Sequence, residues 1–112
     1  MANRKYLGEF EEVVLLAILH LPRNAYGMKI RTEIEERTNR KPSLGAIYTT
    51  LERLEEKGYV SSWVGEPTPE RGGRAKKFFR IEGAGQRALQ QSQELSERMA
   101  AGLNPAFSGG AL

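Results

Sequence analysis

A mainly α domain with a small β-hairpin and one further helix is predicted by three observations. Three consecutive segments carry apolar residues at helical spacing. After Gly58 the spacing changes to short β-branched and aromatic runs, and a last segment returns to a helical period with a thin apolar stripe. A chain of 112 residues is one domain. At that size it buries only about 60 to 70% of its unfolded surface, so a partner subunit would strengthen its core.

Taken in order, residues 7–21 read as the first helix, with Phe10, Val13, Val14, Ala17, Ile18 and Leu21 on one face and Pro22 beyond its end. Leu15, Leu16 and Leu19 point elsewhere, so this helix is apolar nearly all round: either a second subunit covers it or the later helices wrap it. Residues 25–38 form the second helix, with Tyr26, Ile30 and Ile34 inward, and the polar run 38–42 breaks it. Ser43 stands at an N-cap position, Ile47, Leu51 and Leu54 mark the inner face of a third helix, and Gly58 stops it. Residues 59–64 and 75–81 read as strands, joined by a Gly- and Pro-rich loop over 65–74. The last helix spans 84–102, with Ala88, Ser92, Leu95 and Met99 along one side, and it either packs on a neighbouring subunit or frays.

The composition, 39% hydrophobic and 28% charged, is that of an ordinary folded protein. The longest apolar run, residues 13–19, falls far short of the roughly 18 residues needed to span a bilayer, and the first residues lead into acids instead of an export signal. The absence of cysteine excludes disulfides, Cys-ligated metals and a thiol nucleophile. A cytoplasmic protein without membrane contact, metal or cofactor is expected.

Seventeen Lys and Arg against fourteen Asp and Glu give a net charge of +3. Five of the cations, Arg71, Arg74, Lys76, Lys77 and Arg80, fall within residues 71–80, where there is no acid; the other twelve cations against fourteen acids leave the rest of the chain at −2. A mildly acidic body with one concentrated basic strip sets up a local field that attracts a polyanion. Taken alone, such a run is more simply a solvated, charged hairpin.

Its surroundings decide. The second and third helices with their short polar connection form a helix-turn-helix pattern, which offers the first residues of its second helix to base edges in the major groove. With Ile47, Leu51 and Leu54 inward, the outward face of the third helix holds Gly45, Thr49, Glu52 and Arg53, flanked by Ala46 and Tyr48. Small residues in the first turn permit close approach to a duplex, and Ser43, Thr49 and Thr50 can hydrogen-bond phosphates or bases. Tyr48 offers a phenol, and Arg53 is the long base-reading side chain. A basic hairpin directly after such a helix is what a DNA-straddling wing needs, because phosphate contacts supply much of the affinity through counterion release.

These residues also carry a family resemblance. Tyr26-Gly27-Met28-Lys29-Ile30, the run from Ser43-Leu44-Gly45-Ala46-Ile47-Tyr48 through Leu51-Glu52-Arg53-Leu54-Glu55-Glu56-Lys57-Gly58, and Gly72-Gly73-Arg74-Ala75-Lys76-Lys77-Phe78-Phe79-Arg80-Ile81 resemble the PadR family of bacterial transcriptional regulators, over about residues 7–103. The resemblance implies a winged helix-turn-helix homodimer, usually a repressor, of the short kind with a single C-terminal dimerisation helix. The chain then divides into a DNA-binding unit, 1–82, a dimerisation helix, 83–103, and a disordered tail, 104–112.

The resemblance places Ser43, Gly45, Tyr48 and Thr49 at the major groove or adjoining phosphates, and Arg74, Lys76 and Lys77 on the backbone or minor groove. Ala46, Arg53 and Arg71 complete the expected DNA-binding set. Dimerisation is expected through Leu15, Leu16 and Leu19 of the first helix and Leu89, Leu95 and Met99 of the last. Double-stranded DNA and a second copy are the expected partners, and a small-molecule effector is left open. The competing class is a winged-helix module for protein–protein contact; an enzyme lacks an assembled nucleophile, base or metal set.

Other residues invite chemistry and have plainer explanations. His20, the one histidine, has no catalytic partner nearby in sequence. Glu9, Glu11 and Glu12 suit the positive end of a helix dipole. Trp63 could stack on a planar ligand but sits on a wing strand, where packing against the hairpin is the simpler role. Gly72-Gly73 is not followed by a helix N-terminus, as a phosphate loop would be.

Overall fold

The computed structural model describes residues 6–67 and 75–103. Helix α1 covers Glu9–Leu19, α2 Gly27–Thr38 and α3 Leu44–Glu56; strands β1, Val60–Pro67, and β2, Ala75–Ile81, form an antiparallel hairpin, and α4 covers Gly83–Ala100. The expected mainly helical architecture with a two-stranded wing is present. The tail 104–112, Gly72-Gly73 and the expected DNA contacts Arg71 and Arg74 lie outside the described residues.

The core forms where the helical faces converge. Val14 and Leu15 of α1, Ile30 and Ile34 of α2, and Ile47, Leu51 and Leu54 of α3 meet with Val60, Phe79 and Leu89. All three inward residues of α3 are fully buried, which fixes the rotation of that helix about its axis. Leu15 is fully buried as well. The second apolar side of α1 is thus partly covered within the protomer, and Leu15 does not belong to a subunit surface.

Boundaries move for local reasons. Helix α1 stops at Leu19, and Leu21 reaches the core from a turn in which its N–H bonds to the Ile18 carbonyl at 2.9 Å. Helix α2 starts two residues later than its periodicity suggests, because Ala25 and Tyr26 are extended and tie to β2: the Phe79 N–H donates to the Ala25 carbonyl at 2.8 Å, and Tyr26 bridges Phe78. At the end of α3, Gly58 has φ 78°, and its N–H and that of Tyr59 close back on the Glu55 and Leu54 carbonyls at 3.0 and 2.9 Å. This glycine-terminated cap turns the chain straight into β1.

The hairpin pairs Val60 with Ile81 through Val64 with Lys77, and then Pro67 with Ala75. Between the last two pairs β1 advances one residue more than β2, so β1 bulges there. Gly65, Glu66 and Pro67, expected in the loop, therefore belong to the strand. Helix α4 starts close against the body. A Cβ on Gly85 would overlap the Tyr59 carbonyl oxygen and come within 2.9 Å of Ile81 Cγ1. Ala88 and Leu89 are buried and Ser92 Oγ donates to Glu12 at 2.9 Å, whereas residues 93–99 are exposed.

Candidate nucleic-acid interface

The outer face of α3 is built by its cap and its inner apolar triplet. Ser43 Oγ accepts the Ala46 N–H at 3.0 Å, which anchors the first turn and leaves the hydroxyl proton to donate outward. With Ile47, Leu51 and Leu54 inward, Ser43, Gly45, Ala46, Tyr48, Thr49, Glu52 and Arg53 are all exposed on one continuous surface. These are the residues that the helical period places outward, together with Ser43 at the cap. Thr50 is the exception, being buried, and it has no access to phosphates or bases.

Tyr48 does not project freely. It is 42% exposed, and the end of its ring lies against the first residue of α2: a Cβ on Gly27 would come within 3.0 Å of its Oη, Cζ and Cε1 atoms. Gly27 was not among the expected site residues. Its signal in the sequence is a glycine at a helix start, with no turn there to explain it.

The wing is clamped to the same helix. Ser62 Oγ donates to Glu55 at 2.7 Å, and the Lys77 ammonium stands 3.9 Å from the same carboxylate and 5.7 Å above the Phe79 ring. Lys77 therefore sits on the α3 side of the hairpin. Its neighbour Lys76, one residue along the strand, points to the opposite face and is half-buried. On that face Trp63 stacks on Phe78 at 5.7 Å, Phe78 meets Tyr26 edge-on, and Arg80 lies over the indole. The packing role of Trp63 accounts for its position.

Glu11 is buried at the other end of α3. Its carboxylate accepts the Gly8 N–H at 2.8 Å and the Lys57 ammonium at 2.9 Å. Burial raises its pKa, but the Lys57 and Gly8 hydrogen bonds and the nearby Lys57 and Arg53 charges outweigh that and hold it below the ordinary value of 4.5. His20 lies elsewhere, at the rim of a shallow apolar groove of about 190 Å³ between α1 and α2, lined by Val13, Leu16, Ala17 and Ile34. Of the expected dimer contacts, Leu89 joins Leu15 in the core and Leu16 is half-buried, while Leu19, Leu95 and Met99 are exposed.

A helix-turn-helix whose second helix presents an exposed polar face, followed by an antiparallel hairpin, defines the winged-helix fold. Residues 15–91 match the Transcriptional regulator PadR-like family, and the chain belongs to that family. No curated protein sequence gives a significant match. Among solved structures, a PadR-like transcriptional regulator from Bacillus cereus is 19% identical with a TM-score of 0.68, over 89% of this chain and 92% of that one. A PadR family transcription regulator from Clostridium difficile is 20% identical with a TM-score of 0.64, over 80% and 90%. F93 from STIV, a winged-helix DNA-binding protein, is 15% identical with a TM-score of 0.66, over 88% and 99%. At these identities the likeness is one of fold. No helix among the described residues is long and apolar enough to cross a membrane.

Proposed function

We propose that this protein is a sequence-specific, DNA-binding transcriptional repressor that acts as a homodimer in the cytoplasm. The observation that carries the reading is the orientation of α3. Three fully buried residues on its inner face leave small and hydrogen-bonding residues in its first turns exposed, beside a cationic wing held to the same helix through Glu55. Gly45, Ala46 and Thr49 would meet base edges, Arg53 would read a guanine, Ser43 and Tyr48 would hold phosphates, and the wing cations Arg71, Arg74, Lys76 and Lys77 would add backbone contacts.

Leu95 and Met99, four residues apart near the end of α4, and Leu103, three residues beyond that helix, are exposed in the protomer, which supports a second copy as their cover. Two recognition helices in a two-fold dimer would enter major-groove segments about one helical turn apart on a pseudo-palindromic operator. A ligand that alters their separation would release the DNA.

Selection of genomic fragments on the purified protein, with the Lys76→Glu/Lys77→Glu variant alongside, tests this. A few fragments sharing a two-fold motif, enriched by the wild type and lost by the variant, are expected. Recovery of nothing, or of random DNA equally by both, would move the assignment to a winged-helix module for protein contacts.

A further inference from the structure

Gly27 is a glycine whose backbone does not call for one. It is the first residue of α2 with an ordinary backbone, whereas the described glycines with positive φ are Gly58 and Gly102. Glycine loses more conformational freedom on folding than any other residue, so its presence at a position that does not use its wider backbone range calls for another cause. The three atoms nearest to a Cβ at this position all belong to the far end of the Tyr48 side chain. What the missing side chain supplies is room for that ring.

We propose that Gly27 is a positioning residue for DNA binding: by leaving the start of α2 bare, it lets the Tyr48 ring lie across from α3 onto α2 and holds the phenol oxygen at one place on the recognition surface. The inference rests on the DNA-binding reading above. Tyr48 leaves the flank of α3 beside the exposed Gly45 and Glu52, three residues before it and four after, so a ring free to swing would sweep onto the face that must approach the duplex. Braced against Gly27, the phenol is pre-organised, and the entropy of fixing it is not charged to binding. A methyl group at residue 27 displaces the ring end and leaves the helix intact, since the overlapped atoms sit at the tip of a side chain that can turn about its first two bonds.

The test is a double-mutant cycle on the full chain, using the operator fragment recovered in the selection. Gly27→Ala and Tyr48→Ala are each expected to weaken operator binding about tenfold, the worth of one hydrogen bond to a charged group. In the double variant, Gly27→Ala is expected to add less than about twofold to the loss from Tyr48→Ala, because the ring it displaces is already gone. Thermal unfolding of Gly27→Ala should occur at or above the wild-type temperature, and cross-relaxation between the Tyr48 ring protons and the residue 27 Hα should be lost.

Additive losses would overturn the proposal, as would unchanged operator affinity in Gly27→Ala. An unfolded Gly27→Ala protein would overturn it too, because the ring would then not be what gives way. A wild type that enriches no fragment would remove the DNA-binding reading and this proposal together, whereas a bound operator with an additive cycle removes this proposal alone.

Discussion

The Lys57 ammonium at the C-terminal end of α3 donates to the buried Glu11 carboxylate of α1 at 2.9 Å, a pair that locks the foot of α3 to the first helix of the fold. Glu11 is buried almost completely, while Lys57 keeps about a quarter of its side chain in solvent. Removal of the cation therefore strands a carboxylate in the protein, and the opposite deletion is milder.

Lys57→Met is expected to lower unfolding free energy at pH 7 by about 2 to 3 kcal/mol, and Glu11→Gln by less. The folded pKa of Glu11 is depressed, so its contribution is complete above the ordinary carboxylate value of 4.5 and is lost as the pH falls through the lower folded value. The gap between wild type and Lys57→Met in urea unfolding should narrow accordingly between pH 6 and about 3. A gap that stays constant would mean the pair contributes by packing alone.

Gly85→Ala should destabilise the protein by about 2 kcal/mol or more, because the added methyl meets the Tyr59 carbonyl, a backbone atom that also accepts the Glu82 N–H at 2.8 Å. Thermal unfolding reads this directly. The contrast with Gly27→Ala, where a side-chain tip gives way, is part of the expectation.

Thr49→Ala with Arg53→Ala should reduce the ratio of operator to random-sequence affinity by about tenfold or more, since each good base contact is worth roughly 1 to 3 kcal/mol of discrimination. Binding to random DNA should change much less. Equal losses on both would show that this face holds phosphates and reads no bases.

The proposed homodimer predicts that the wild type sediments as a dimer at micromolar concentration and that Leu95→Gln with Met99→Gln sediments as a monomer, while the chain keeps its helical circular dichroism. Both side chains are exposed in the protomer, so their replacement leaves its core untouched. An unchanged dimer would place the subunit contact elsewhere, with Leu19 the next candidate.

The orientation of α3 was legible in the sequence because Ile47, Leu51 and Leu54 keep a strict helical period and nothing else competes for their side of the helix. Leu15 was ambiguous for the opposite reason: a helix apolar on several sides does not reveal which side its own domain covers. The partners of Glu11 and Glu55 were not legible. Glu11 suits a helix N-terminus on local grounds and does accept the Gly8 N–H, but its burial depends on Lys57, 46 residues away. Thr50 looked available from its hydroxyl alone, and only the packing of α3 takes it out of the interface. The opposite facing of Lys76 and Lys77 follows from strand alternation, a consequence of the β2 assignment already present in the sequence.

The bulge between Val64 and Pro67 divides the wing into two parts with different freedoms to evolve. Below it, Phe79 is sunk in the core and Phe78 is held by Tyr26 and Trp63, so register there is fixed by side chains that cannot be exchanged without loss of stability. Above it, the ladder has already absorbed one unpaired residue, so the pairing of Pro67 with Ala75 is out of step with that of the root. Sequence change at the outer end of the hairpin is thereby kept apart from the root, whose register the body depends on.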